Sequence, residues 1–162
     1  MKKKGIILFS GGLDSLLAAK VLLDQGIEMI GINFLLPFEF PDLTTEDSFI
    51  AQSARQIGLD LRFVRAGSGY LEIFKNPPHG FGKNVNPCID CKINFLRNAK
   101  SIMIEEDAAF VATGEVNGQR PMSQRKDMIR HIEKEAGLES YILRPLSATF
   151  FPPTIAEIEG IV

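Results

Sequence analysis

Gly5-Ile6-Ile7-Leu8-Phe9-Ser10-Gly11-Gly12-Leu13-Asp14-Ser15 is the stretch that decides the fold. Gly5 to Phe9 is an unbroken apolar run rich in branched residues, which suits a strand buried on both faces of a parallel sheet. A helical pattern follows from Asp14 to Gln25, and Gly26 supplies its stop. Leu16, Leu17, Ala18, Ala19, Val21, Leu22 and Leu23 cover most of that helix's circumference. Only Lys20, Asp24 and Gln25 are then expected to face water.

Outward from this unit, strands and helices alternate. Glu28 to Phe34 reads as a second strand, and Pro37 and Pro41 break the loop after it. A helix then runs to about Ile57, capped by Thr44 or Thr45, with Glu46 and Asp47 in its first turn and Gly58 at its close. Leu59 to Val64 is a third strand, Tyr70 to Phe74 a short helix, and Lys75 to Pro87 a long irregular loop. Cys91 to Glu105 returns to helix, Ala109 to Ala112 is a fourth strand, Gln124 to Ala136 a helix, and Tyr141 to Leu143 a fifth strand. This alternation predicts an α/β fold, a doubly wound, parallel five-stranded sheet of Rossmann-like form. Residues 1–146 are read as one nucleotide-binding catalytic domain. Residues 147–162 are read as a Pro-rich tail, or a linker to a further C-terminal domain.

Bulk properties narrow the class. A chain of 162 residues with 45% hydrophobic content fills one ordinary core. The formal net charge of −2 excludes a strong overall field for nucleic acid. Met1-Lys2-Lys3-Lys4 is followed by an apolar run too short for a signal core, and no run is long enough to cross a bilayer. A cytoplasmic protein without membrane association is expected, with its two cysteines reduced.

The loop between the first strand and first helix carries the chemistry. Gly11 and Gly12 let backbone N–H groups turn inward, and the helix N-terminus adds free donors and partial positive charge. Ser10 and Ser15 offer hydroxyls to phosphate oxygens, and Leu13 and Asp14 complete the loop. In such sheets, ligands sit at the carboxyl ends of strands, where this loop lies. The alternative is a Gly-rich turn with Asp14 or Ser15 as helix cap.

The pattern Ser-Gly-Gly-x-Asp-Ser resembles the PP-loop of the ATP pyrophosphatases, also called adenine nucleotide alpha hydrolases. It is not a Walker-type loop, since no Gly-Lys-Ser/Thr follows. The resemblance implies that the loop holds the β,γ-phosphates of ATP while a nucleophile attacks the α-phosphorus, giving an adenylated substrate and pyrophosphate. Mg2+ is the implied counterion, with Asp14 the nearby carboxylate. Adenine is expected against backbone near Asn33 and Phe34, at the end of the second strand.

Asn86-Pro87-Cys88-Ile89-Asp90-Cys91-Lys92 opens a helix after the long loop. Two cysteines placed at random fall three apart about once in eighty trials, so the spacing carries meaning. A helix N-terminus lowers a thiol's pKa and favours thiolate, which serves as sulfur carrier, nucleophile or metal ligand. The segment resembles the Asn-Pro-x-x-x-Cys element of the tRNA 2-thiouridylases, a PP-loop branch. That resemblance places the sulfur-carrying cysteine on Cys91, with Cys88 as an extra thiol. Ala112-Thr113-Gly114 resembles the family's Ala-Thr-Gly turn beside the nucleotide, which adds Gly114 to the ATP site.

The sequence departs from those enzymes at Glu115, where they carry His. It also lacks a third cysteine and their separate tRNA-binding domains. Other readings of the pair stay open: zinc held with His79 and His131, an iron–sulfur cluster completed by an outside cysteine, or an incidental buried pair. Arg120, Arg125, Lys126 and Arg130 form a basic group after the fourth strand, and Arg120 is the one assigned to the triphosphate. Arg144 follows the last strand and is expected to point at the same cleft.

The expected function is ATP-dependent adenylation with pyrophosphate release, and by resemblance tRNA thiolation with Cys91 carrying sulfur. An amide-forming PP-loop ligase that uses ammonia, and a nucleotide-binding sensor like the universal stress proteins, are the alternatives. The expected partners are ATP, a sulfur-donor protein and a tRNA acceptor reached through an additional domain or partner protein. A homo-oligomer is left open.

Overall fold

The computed structural model describes residues 3–37, 47–67, 69–82, 86–119 and 124–162. Its strands are β1 (Lys4–Leu8), β2 (Glu28–Leu35), β3 (Asp60–Arg65), β4 (Phe110–Thr113) and β5 (Ile142–Leu143). They form one five-stranded sheet in the order β3-β2-β1-β4-β5, and every pair is parallel. The helices are α1 (Leu13–Asp24), α2 (Phe49–Ile57), α3 (Gly69–Lys75), α4 (Cys88–Glu105), α5 (Lys126–Ala136) and α6 (Ile155–Ile158).

Successive residues of a strand point to opposite faces, so β1 feeds two cores. Ile7 joins Ala18, Ala19 and Leu22 of α1, Ala54 of α2 and Ala156 of α6 on one side. Ile6 joins Ile93, Leu96 and Ala99 of α4 and Ile132 and Ala136 of α5 on the other. Both faces are thereby covered, which is what unbroken apolar strands require. No helix among the described residues is long and apolar enough to cross a membrane.

Three local expectations need correction. First, α1 buries only Ser15, Ala18, Ala19 and Leu22, while Leu13, Leu17 and Val21 are 71%, 42% and 43% exposed. A helix lying on a sheet has one outer face whatever residues occupy it, and these three share that face. Second, α2 begins at Phe49 and is capped by Ser48, whose side chain accepts from the Ala51 N–H at 3.2 Å. Asp47 precedes the cap, and Thr44, Thr45 and Glu46 lie outside the described residues. Third, α4 begins at Cys88 behind Pro87, one turn before Cys91, so both cysteines are helical.

The stretch from Ser147 to Val162 packs onto the domain. Thr154 and Glu157 form a reciprocal capping box at the start of α6. The Ile155 N–H donates to the Ser140 carbonyl at 2.9 Å, and Ala156 and Ile161 are buried in the α1-side core. Just beyond α4, Glu106 accepts from Lys4 Nζ at 2.8 Å and Arg62 Nη1 at 2.6 Å. These two cations hold its carboxyl down from 4.5 to about 2.

Candidate functional site

At the carboxyl end of β1 the chain turns through Ser10, Gly11 and Gly12 into α1. Gly11 takes a left-handed φ of +78°, open to glycine at little cost, and a Cβ there would meet Ile50 at 3.0 Å. Gly12 is the N-cap and, having no side chain, cannot satisfy the N–H groups of the first turn. The alternative in which Asp14 or Ser15 caps the helix is therefore not what forms. Ser15 Oγ instead donates to the Gly12 carbonyl at 2.9 Å and lies 3.2 Å from Ser10 Oγ, which itself accepts from the Gly12 N–H at 3.3 Å. The hydroxyls thus brace the loop while the helix keeps its donors for an anion.

From the neighbouring strand, β4 delivers Thr113 and Gly114. A Cβ on Gly114 would lie 2.6 Å from the Ser15 nitrogen and 2.7 Å from the Asp14 carbonyl carbon, so only glycine fits there. Between the loop, β4 and α4 opens a cavity of about 740 Å³, lined by Ser10, Asp14, Ser15, Cys88, Cys91 and Gly114 among others. A second cavity of about 350 Å³ adjoins it and is lined by Ser10, Asn33, Phe34, Ile50 and Phe95. Asn33 Nδ2 donates to the Phe9 carbonyl at 2.9 Å and ties the ends of β1 and β2 together.

Both cysteines are free thiols of intermediate exposure. The Tyr70 hydroxyl donates to Cys91 Sγ at 3.2 Å. The expectation of an acidified thiol fails for Cys91. Burial pushes it up, the Tyr70 hydrogen bond opposes, and Cys88 and Asp90 nearby add to the rise. Asp90, between the cysteines, turns the other way. It accepts from the His79 N–H at 3.0 Å, its Oδ1 lies 2.7 Å from His79 Nδ1, and His79 Nε2 lies 3.0 Å from His131 Nε2. His131 thus meets the long loop rather than only solvent. No group of three or more His, Cys, Asp or Glu able to hold a metal ion occurs among the described residues.

A glycine-rich strand-to-helix loop thus faces a Cys-x-x-Cys helix across one cavity. The family model described as "Thiamine biosynthesis protein (ThiI)" matches residues 1–149. The chain belongs to the ThiI family. Its sequence is also 28% identical over 173 residues to the tRNA-specific 2-thiouridylase MnmA of Clostridium acetobutylicum, covering 88% of this chain and 44% of that protein. The MnmA of Proteus mirabilis is 27% identical over 157 residues, covering 90% and 42%. A 4-thiouridine synthetase solved in complex with RNA and ATP superposes with a TM-score of 0.66 at 25% identity, covering 89% of this chain and 36% of that one. A predicted subunit of tRNA methyltransferase from Methanocaldococcus jannaschii shares the fold, with a TM-score of 0.60 at 17% identity. This ThiI-family chain spans less than half the length of the MnmA proteins it matches. The matches place it in the PP-loop ATP pyrophosphatase superfamily, as its loop implies.

Glu115, where the thiouridylase pattern carries His, is the centre of a part-buried ion network in this ThiI-family chain. It pairs with Lys92, accepts from Arg144 Nε at 3.0 Å and lies 3.2 Å from Thr113 Oγ1. Burial alone would raise its carboxyl. The Lys92 and Arg144 charges overcome that and hold it below the usual range. Arg144, expected at the cleft, is buried, pairs with Glu133 as well, and stacks 5.1 Å from the Phe151 ring. It has no part in the cavity lining. Arg120 lies outside the described residues. Arg125 pairs with Asp127 on the surface, and Leu13 points outward.

Several lining residues were not assigned to the site from sequence: Tyr70, Phe74, Lys92, Phe95 and Gln124. Phe34, Phe95 and Tyr70 form a stack, with ring centroids 4.9 and 5.4 Å apart. An aromatic residue near a Cys-x-x-Cys helix is the only trace of this in the sequence, and it says nothing about stacking order.

Proposed function

We propose that this ThiI-family chain adenylates an acceptor with ATP and serves tRNA thiolation, with Cys91 as sulfur carrier. One observation carries the reading: the phosphate loop and both cysteines line a single cavity. Polyphosphate suits the loop, since the first-turn N–H groups of α1 have no side-chain cap and Gly114 allows the strand to close on them. The second cavity, beside Asn33 and Phe34, suits adenine. Of the two carboxylates lining the main cavity, Glu115 is committed to Lys92 and Arg144, which leaves Asp14 to hold Mg2+. The metal, when bound, neutralises phosphate charge.

The residues then divide the work. Ser10, Gly11, Gly12 and Ser15 hold the β,γ-phosphates while an acceptor oxygen attacks the α-phosphorus, and pyrophosphate leaves with the bonding pair. A persulfide on Cys91, charged by a sulfur-donor protein, attacks the adenylated carbon through its outer sulfur, and AMP departs with the carbon–oxygen pair. The Cys88 thiolate attacks Cys91 Sγ, and the sulfur–sulfur pair goes to the product. A Cys88–Cys91 disulfide remains for a thiol reductant. Cα atoms three apart on a helix lie about 5 Å from each other, inside the Cα separation that a disulfide spans. Thr113 and Lys92 border the path, and Glu115 fixes both.

The acceptor RNA is engaged through an additional domain or partner protein, and cytoplasmic residence follows from that substrate. Two measurements test the reading. Labelled ATP incubated with acceptor RNA and a sulfur donor should give AMP and pyrophosphate, and ADP as the main product refutes the chemistry. Nucleoside mass spectrometry of cells carrying only Cys91→Ser should show a thiolated uridine reduced at least a hundredfold. An unchanged level removes sulfur transfer and leaves the ammonia-dependent ligase.

A further inference from the structure

We propose that Tyr70 is a positioning residue for the sulfur chemistry: its hydroxyl donates to Cys91 Sγ and aims that sulfur into the cavity shared with the phosphate loop. This rests on the sulfur-carrier reading above. Tyr70 is 3% exposed, and its hydroxyl lies 3.2 Å from Sγ. Its ring is clamped independently of that bond. Phe95 of α4 stacks on it at 5.4 Å and 14°, Phe34 of β2 backs Phe95 at 4.9 Å and 6°, and Phe74 leans on it at 5.3 Å. Packing therefore decides where the hydroxyl sits, and the sulfur is met by a preset donor.

The bond also separates two thiols that are otherwise alike. Cys88 and Cys91 share one turn of α4 and line the same cavity. Only Cys91 receives a side-chain hydrogen bond among the described residues. Negative charge on Cys91 is opposed by burial and by neighbouring Cys88 and Asp90, and the Tyr70 hydroxyl offsets part of that opposition. A neutral phenol does so by hydrogen bonding alone, without adding a charge beside the sulfur. The tyrosine thus marks Cys91 as carrier and leaves Cys88 to resolve.

The test follows iodoacetamide alkylation of Cys91 against pH in the Cys88→Ser protein. Tyr70→Phe keeps the ring and removes the donor. Alkylation near neutral pH should slow about fivefold and the profile should move to higher pH, as loss of one hydrogen bond to sulfur requires. Cys88, followed in Cys91→Ser, should be unaffected. An unmoved Cys91 profile overturns the proposal. A second measurement stands if Tyr70→Phe fails to fold. The chain has 2 tyrosines and no tryptophan, so Tyr141→Phe leaves Tyr70 as the sole phenol for ultraviolet titration. Adding Cys91→Ala should move that titration to lower pH, because the phenol loses a negatively charged acceptor. No movement overturns the proposal. Neither assay uses ATP or RNA. Failed thiolation with these shifts intact would refute the carrier role and spare the hydrogen bond.

Discussion

At Gly114 the backbone of β4 runs against that of the phosphate loop, with no room for one further carbon. Gly114→Ala places a Cβ 2.6 Å from the Ser15 nitrogen, where backbone rather than a flexible side chain must yield. We expect ATP affinity, measured by calorimetry, to fall at least tenfold while the thermal midpoint drops by only a few degrees. Glu115 tests a different property. Its folded-state carboxyl is depressed, so the stability it contributes is present above its ordinary value of 4.5 and lost as pH falls through the lower folded value. Glu106, held at about 2, behaves in the same sense. Glu115→Gln should cost about 3 kcal/mol at neutral pH, as breaking a buried pair does. Its denaturant midpoint should then decline less steeply below pH 4.5 than that of the parent chain. The turn from β1 into α1 was legible because its parts are local: strand, glycines, hydroxyls and helix start are consecutive. Tyr70 was not. Its meaning depends on Cys91, which sits on another helix across the long loop.

Among elements, the strands were the most legible and the helix ends the least. Ile6 and Ile7 are apolar on successive positions, and only a sheet covered on both faces uses both. For α1 the same rule misled, since Leu13, Leu17 and Val21 are apolar yet outside. Composition fixes which residues can be buried, and neighbouring helices decide which are. Proline content suggested a tail or a linker over residues 147–162, and the Thr154-x-x-Glu157 capping box, also in the sequence, marks a folded helix within it. Ile161 is 3% exposed against the α1-side core. Ile161→Ala should therefore lower the unfolding free energy by about 2–4 kcal/mol. Denaturation followed by far-ultraviolet circular dichroism measures this, and a change below about 0.5 kcal/mol would mean the segment is detached.

For the whole molecule, charge sets what it does alone. With a net charge of −2, long-range attraction to a polyanion is weak. Among the described residues, the basic group after β4 offers exposed Arg125, Lys126 and Arg130, and Arg125 is already paired. The chain by itself should bind tRNA with an affinity weaker than about micromolar at physiological salt, with a shallow salt slope. Filter binding across a salt series decides this, and a sub-micromolar constant would place the RNA site on this domain.

Sheet order has a bearing on synthesis as well. Of the five strands, the central β1 leaves the ribosome before the others, yet Gly5 pairs with Phe110, so one of its edges waits until β2, β3 and the helices between have been made. Until β4 arrives, an apolar strand of bare N–H and C=O groups lies open to any other nascent chain. Nascent chains halted before Phe110 should therefore need a chaperone at this edge, and those released after β5 should not.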